Sequence, residues 1–193
     1  MTERKIDKNQ ERTEVKIFTV PFALGEIKEN IIFTNNNDTK LSKNQIIYQA
    51  LKSHLEGNIL EAAKHYQDCI NQGFSDPRVF LNYGIIMNGL GKLKEAEIYT
   101  KKAIEIKPSI AQAHYNLGVI FRDLGKSKEA EISTRKAIEL KIDFAEAYSN
   151  LGAILKDEGK LNDAELYSRK AIEIKPYLVE AYYNLGIILK DLG

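Results

Sequence analysis

Cysteine, proline and long apolar runs are all scarce in this chain of 193 residues. A single cysteine, Cys69, excludes an internal disulfide framework and any metal site built from several thiolates. No apolar run approaches the ~20 residues that a bilayer-spanning helix needs. The opening residues, MTERKIDKNQ, are polar and lead into no signal-peptide core. Net charge is nearly absent as well: 28 Lys+Arg stand against 27 Asp+Glu, a formal charge of +1. That balance provides no general attraction to nucleic acid or to acidic membranes. With 44% hydrophobic residues and only 12 glycines and 4 prolines, the composition is that of a foldable chain, neither disordered nor collagen-like. The expectation is a soluble intracellular protein, most simply cytoplasmic, with no membrane or nucleic-acid partner.

What the sequence has in abundance is repetition. Residues 111–144 and 145–178 agree at half their positions without a gap, and the register extends back through 77–110 and 43–76 and forward into 179–193. The array therefore comprises four full repeats and the first half of a fifth over 43–193, preceded by a non-repeating segment, 1–42. Within a repeat, His114, Leu117, Gly118 and Phe121 fall at the spacing of one helix face, and Ala130, Ala137, Ile138 and Leu140 mark the apolar side of a second helix. Glycine recurs between the two patterns at 57, 91, 125 and 159, and again at 193, where a helix ends in a left-handed residue at little cost. Pro108 and Pro176 disfavour helix continuation between repeats. The unit is a helix hairpin and the chain is all-α.

Small residues hold fixed places: Gly84, Gly118, Gly152 and Gly186 at position eight (Ala50 in the first repeat), Ala62, Ala96, Ala130 and Ala164 at position 20, and Cys69, Ala103, Ala137 and Ala171 at position 27. Small side chains allow close helix approach, so Cys69 reads as packing. Glu97/Lys101, Glu131/Arg135 and Glu165/Arg169 are i,i+4 pairs in the favourable order, each worth about 0.2–0.5 kcal/mol, on a solvated face. In the 1–42 segment, 1–14 are polar and expected to be disordered. VKIFTVPF (15–22) and NIIFT (30–34) are apolar enough to lie against something, either covering the first repeat or occupying a groove, and NNNDTK (35–40) reads as a connection. Ser42 with Gln45 forms a capping-box signature, with Leu41 able to staple onto Ile46, so the array begins at about residue 43.

Tyr148, Leu151-Gly152, Leu155, Ala164, Ala171 and Pro176 together resemble the pattern of the tetratricopeptide repeat (TPR) family, and the pattern recurs in phase. It departs at Gln49-Ala50, where Leu-Gly is expected, and at Ile142, where Pro is expected. The resemblance implies a TPR α-solenoid, a right-handed superhelix of antiparallel helix pairs with the first helices lining a concave groove. It also implies protein binding as a scaffold that holds an extended peptide or partner helix.

Asn82, Asn116, Asn150 and Asn184 each stand at position six, on the groove side if that geometry holds. A primary amide donates and accepts, so one per repeat can pair with the backbone of a long ligand whatever its sequence. This is similar to the asparagine ladder of the O-linked N-acetylglucosamine transferase repeat array. The other reading is that each asparagine holds a neighbouring repeat. Tyr115 and Tyr183 at position five, with Ile85, Val119, Ala153 and Ile187 at position nine, would form an apolar floor. Arg122, Lys156 and Lys190 alternate with Asp123, Asp157 and Asp191 near the helix ends, a mixed charge suited to peptide, or simply solvated. Position five carries Ile47, Leu81, Tyr115, Ser149 and Tyr183, with no lysine, which disfavours the carboxylate clamp of chaperone-binding repeats.

No catalytic or metal constellation is present. His54, His65 and His114 are scattered, and Gly125-Lys126-Ser127 lacks the glycine five residues earlier that a phosphate loop requires, that place being Ile120. Asn37-Asp38-Thr39 is a glycosylation sequon without secretory context. The chain is expected to be no enzyme and to need no cofactor. The alternative is that it is the substrate-recognition array of a larger enzyme, such as a glycosyltransferase. Residues 179–193 carry the apolar pattern of an internal repeat in Tyr182, Leu185, Ile188 and Leu189, so part of that face should be exposed in the isolated chain, which is then expected to be either a fragment of a longer array or self-associating through this end.

Overall fold

The computed structural model describes residues 42–193. The expectations for 1–14, 15–22, 30–34, 35–40 and the Leu41 staple lie outside the described residues. The first described helix opens on the capping box. Ser42 N donates to Gln45 Oε1 at 2.7 Å and Gln45 N donates to Ser42 Oγ at 3.4 Å, opening α1 (Lys43–Leu55). There follow α2 (Ile59–Asn71), α3 (Pro77–Gly89), α4 (Leu93–Ile106), α5 (Ala111–Asp123), α6 (Ser127–Leu140), α7 (Ala145–Asp157), α8 (Leu161–Ile174) and α9 (Val179–Leu192). No strand occurs among the described residues. The second repeat begins with its own cap: Pro77 takes the first helical position, and the Asp76 carboxylate accepts from Arg78 N at 2.9 Å and from the Arg78 guanidinium at 2.8 and 3.0 Å. Burial opposes the Asp76 charge, but these bonds outweigh it and hold the carboxyl below its ordinary range.

Each odd-numbered helix pairs with the even-numbered helix that follows, and each even-numbered helix then packs on the first helix of the next repeat. Neighbouring first helices from α3 onward also touch one another. First helices thus form an inner layer and second helices an outer one. The turns close as the glycines predict, with φ between +71° and +79° at Gly57, Gly91, Gly125 and Gly159. Gly73, between the first and second repeats, takes the same conformation at +75°, although it stands outside the periodic set.

Close approach is confined to the small positions. Ala62, Ala96, Ala130 and Ala164 are fully buried, as are Cys69, Ala103, Ala137 and Ala171, and burial pushes the Cys69 thiol up to about 11. Ala50 takes the glycine's place in the first repeat and is equally buried. A Cβ on Gly84 would stand 2.6 Å from Thr100 Oγ1 and 3.3 Å from Ala96 O. On Gly118 it would meet the Thr134 hydroxyl, with Ala130 O at 3.3 Å, and on Gly152 the Ser168 hydroxyl, with Ala164 O at 3.1 Å. Backbone cannot swing away, so these three positions exclude a side chain.

The outer layer carries the expected pairs, Glu97–Lys101 at 2.6 Å, Glu131–Arg135 at 2.7 Å and Glu165–Arg169 at 2.7 Å. Two of these glutamates also reach the next repeat, Glu97 to Lys126 at 3.0 Å and Glu131 to Lys160 at 3.7 Å. The hydrogen bond from Lys101 lowers the Glu97 carboxyl most, against some burial, with Lys126 adding to it. At the far end, α9 leaves Tyr182, Tyr183, Leu189 and Leu192 exposed while Ile188 is buried, and a Cβ on Gly186 would meet nothing within 4 Å among the described residues. The apolar pattern of an internal repeat thus presents part of itself to solvent.

The same letter at position eight therefore has opposite consequences along the array. Gly118→Ala should lower stability by about 1–3 kcal/mol through overpacking. Gly186→Ala should be neutral, or stabilising by up to ~1 kcal/mol from helix propensity. Urea unfolding of the two variants checks this, and equal losses would mean that α9 is covered in solution.

Candidate functional site

The inner layer brings positions six, nine and twelve of adjacent first helices together. A small enclosed cavity between α3 and α5 is lined by Ile85, Asn88, Asn116, Val119 and Ile120. Ile85 from one repeat therefore lies beside Val119 from the next. Ala153 is buried further along, and Ile187 is half-buried at the end. Tyr115 is half-buried against Phe144, with ring centroids 5.1 Å apart, and burial pushes its phenol up to about 12. Tyr183 stands apart at the terminal repeat and is 69% exposed.

The four position-six asparagines do not form a row of free amides in solvent. Asn82, Asn116 and Asn150 are buried and Asn184 is half-buried, because each first helix is drawn against the preceding hairpin. Asn150 is spent twice: its Nδ2 donates to Thr134 Oγ1 at 3.0 Å and its Oδ1 accepts from Arg122 Nη1 at 2.7 Å. Asn184 donates to Ser149 Oγ at 3.0 Å. These two hold neighbouring repeats. Asn116 differs, since its Oδ1 accepts from Gln112 at 3.0 Å while its Nδ2 has no partner among the described residues. Asn82 interacts with the Tyr66 hydroxyl, yet neither atom of its amide makes a well-formed hydrogen bond with a described residue. Among the described residues, Asn150 is thus hydrogen-bonded at both ends of its amide, Asn116 and Asn184 at one end each, and Asn82 at neither.

Among the charged candidates, Arg122 is half-buried and turned onto Asn150, Lys156 pairs with Asp157 at 2.9 Å, and Asp123 and Asp157 remain exposed. Arg122 is thus positioned by the next repeat rather than left in solvent. The partner of Asn150 is Thr134, and Tyr66 lies against Asn82; both stand at position 24, a place that reading for apolar and small residues passes over. A hydroxyl recurs there as Tyr66, Thr100, Thr134 and Ser168, and that recurrence is the signal the sequence carries. The histidines have structural surroundings. His114 Nε2 lies 2.8 Å from Pro108 O, as the Tyr182 hydroxyl donates to Pro176 O at 3.1 Å. His54 is buried with Nδ1 3.3 Å from the Tyr66 hydroxyl, and burial pushes its pKa down to about 4. No cluster of three or more His, Cys, Asp or Glu that could hold a metal occurs among the described residues.

A family model described as tetratricopeptide repeat matches residues 77–110, 111–141 and 145–177. Among curated proteins, no significant sequence match is found. The fold is shared with solved structures. The crystal structure of MamA superposes with a TM-score of 0.67 at 23% identity, covering 77% of this chain and 81% of that one. YrrB, described as a TPR protein with an unusual peptide-binding site, gives 0.64 at 22% identity over 91% of this chain and 84% of its own. The first TPR of Spaghetti (RPAP3), bound to the HSP90 peptide SRMEEVD, gives 0.58 at 26% identity over 60% of this chain and 92% of that one.

Two measurements follow from the side-chain geometry. Asn150→Ala strands Arg122 and the buried Thr134 hydroxyl and should cost about 1–3 kcal/mol, whereas Asn184→Ala, half-buried at the array's end, should cost less than about 1 kcal/mol by the same measure of a lost hydrogen bond. Equal costs in urea unfolding would refute an inter-repeat role for Asn150. His54 titrates lower folded than unfolded, so the unfolded state binds its proton first as pH falls. Its contribution is complete above pH 6.5 and is lost progressively toward about pH 4. In His54→Gln, the fall in melting temperature across that window should be shallower.

Proposed function

The chain belongs to the tetratricopeptide repeat family, and from that membership we propose that it is a non-enzymatic interaction scaffold whose inner layer holds an extended segment of a partner protein. The observation that carries this reading is the pairing of an apolar floor with unspent amide capacity. Ile85 and Val119 lie beside Asn116 Nδ2, a buried donor without a partner among the described residues. An extended peptide supplies both requirements, side chains for the floor and backbone carbonyls for the amide. The RPAP3 repeat, 26% identical over 60% of this chain, is a relative whose structure holds a peptide.

Contact falls to Tyr115, Asn82 and Asn116 toward the centre and to Tyr183, Arg122, Lys156, Asp123 and Asp157 along the edges and toward the C-terminal end. Asn150 and Asn184 serve by fixing the repeats, and Asn150 also orients Arg122. With no lysine at position five, the groove selects an internal apolar stretch over a terminal carboxylate.

Peptides selected from a display library against the chain should carry apolar residues at alternate positions. Asn116→Ala should weaken them by about 0.5–1.5 kcal/mol, the net worth of one hydrogen bond, roughly two- to tenfold in Kd. Val119→Asp should weaken them further with helix content unchanged by circular dichroism. Titration calorimetry reads both, and unaltered affinity in both variants removes the groove as the binding surface.

A further inference from the structure

One side of α9 has no helix against it among the described residues. Helix α9 packs on α8 and, along the inner layer, on α7. Ala181 joins Tyr148 and Ala171 in one apolar cluster, and Ile188 joins Leu151, Leu155 and Ala164 in another. A neighbouring side is open: Tyr182 is 51% exposed, Leu189 is 42% exposed, and Gly186 between them is exposed too. These three stand at i, i+4 and i+7, a single stripe of the helix. The same stripe on α7 is Tyr148, Gly152 and Leu155, all three buried, with α8 packed on that helix. The face left open on α9 therefore occurs elsewhere in the molecule in covered form.

The covered copies show what such a face takes. Gly84, Gly118 and Gly152 each meet the position-24 hydroxyl and the position-20 carbonyl of the second helix. The position-four ring stacks on a position-23 ring, Phe80 on Tyr99 at 6.4 Å between centroids and Tyr148 on Tyr167 at 6.2 Å. In the fourth repeat, Lys175 just past α8 donates to Glu146 at position two, at 2.6 Å. Helix α9 presents its half of each contact in Gly186, Tyr182 and Glu180, all exposed. We propose that this face is a second docking surface, separate from the groove, for an amphipathic helix of another protein. That helix carries the pattern of Ala164, Tyr167, Ser168, Ala171 and Lys175. Its small residues let its backbone close on Gly186, its ring lies against Tyr182, and its lysine meets Glu180. A second copy of this chain does not offer such a helix, because the alanines of α4, α6 and α8 at these places are fully buried in their own hairpins. The stripe is uncharged and the charge lies at one end, so Glu180 fixes the direction in which the helix runs.

The test uses the full chain and, as probe, a labelled peptide of residues 160–177, the molecule's own example of the complementary helix. In the peptide, Arg169→Lys allows a lactam to Glu165, so the helix is formed before binding and its ordering is not charged to the complex. Fluorescence anisotropy should show saturable one-to-one binding. Gly186→Phe in the chain should weaken it at least tenfold, and so should Ser168→Phe in the peptide. Gly186→Phe leaves the fold intact, since a Cβ there meets nothing within 4 Å among the described residues, and circular dichroism checks this. Asn116→Ala, a groove variant, should leave the affinity unchanged. Absence of binding, or equal binding to the Gly186→Phe and unaltered chains, overturns the proposal. So does equal weakening by Asn116→Ala, which would seat the peptide in the groove. A dimer in analytical ultracentrifugation that Gly186→Phe dissolves would place a second copy on the face and overturn it as well.

Discussion

The structure depends on how closely two helices of one repeat can approach. Where Gly84, Gly118 and Gly152 cross the second helix, the groups facing them are a hydroxyl and main-chain carbonyls at about contact distance. A larger residue would push the hairpin apart, and with it every partner set by that separation. The third repeat shows how far the constraint extends. Gly118 of α5 lies beneath the Thr134 hydroxyl of α6, Thr134 Oγ1 accepts from Asn150 of α7, and Asn150 Oδ1 accepts from Arg122, back on α5 one turn beyond the glycine. Three helices are closed into one circuit through a single small residue. Any widening at Gly118 breaks the hydrogen bonds that orient Arg122 toward the groove edge, so packing and the chemistry of the site are the same variable here.

Coupling between repeats is carried on both layers by different means. The outer layer uses Glu97 and Glu131, each shared between a residue of its own helix and a lysine of the next repeat. These pairs are half exposed, where screening and side-chain entropy keep ion pairs weak. The inner layer uses buried amide–hydroxyl contacts, which are costly to break because the partner left behind cannot reach water. The curvature of the array therefore rests mainly on the inner layer, where a ligand would lie. A peptide that satisfies Asn116 acts on the same seam that sets the angle between repeats.

The architecture was legible because it is periodic: glycine turns, alanine crossings and the Ser42 cap each follow from a residue type at a fixed place, and each is found there. The site was only half legible. Asn116 and Asn150 are the same letter at the same position, yet the Nδ2 of Asn150 is paired and that of Asn116 has no partner among the described residues. Their carbonyls differ too, because Arg122 lies in the repeat before Asn150, where the repeat before Asn116 has Asn88. Periodicity gives the place of a side chain but not the reach of its neighbours, which depends on long, non-repeating residues. Burial around α3 was likewise invisible, since Leu81 and Ile85 fit an apolar floor whether or not Ile110 and Ala113 at the start of α5 pack against them, as they do. The hydroxyls at position 24 were legible in principle, but vary between tyrosine, threonine and serine.

The groove is not uniform along its length, and the gradient bears on what it can hold. Position twelve runs from His54 and Asn88 to Arg122, Lys156 and Lys190, and position thirteen from Leu55 and Gly89 to Asp123, Asp157 and Asp191. Burial keeps His54 neutral, so the first two repeats offer an uncharged floor, while the later three offer alternating charge. An apolar stretch is bound with least desolvation cost at the uncharged end, since charged groups resist burial without partners. At that end Val79 through Met87 of α3 are all buried, Leu81 and Ile85 in one cluster with Ile110 and Ala113 at the start of α5. A longer partner would extend from there toward Arg122, Lys156 and Tyr183, whose charged and exposed character suits polar side chains. If the groove holds a partner as proposed, residence at the apolar end and selectivity at the charged end would be separate properties, held by different repeats of one array.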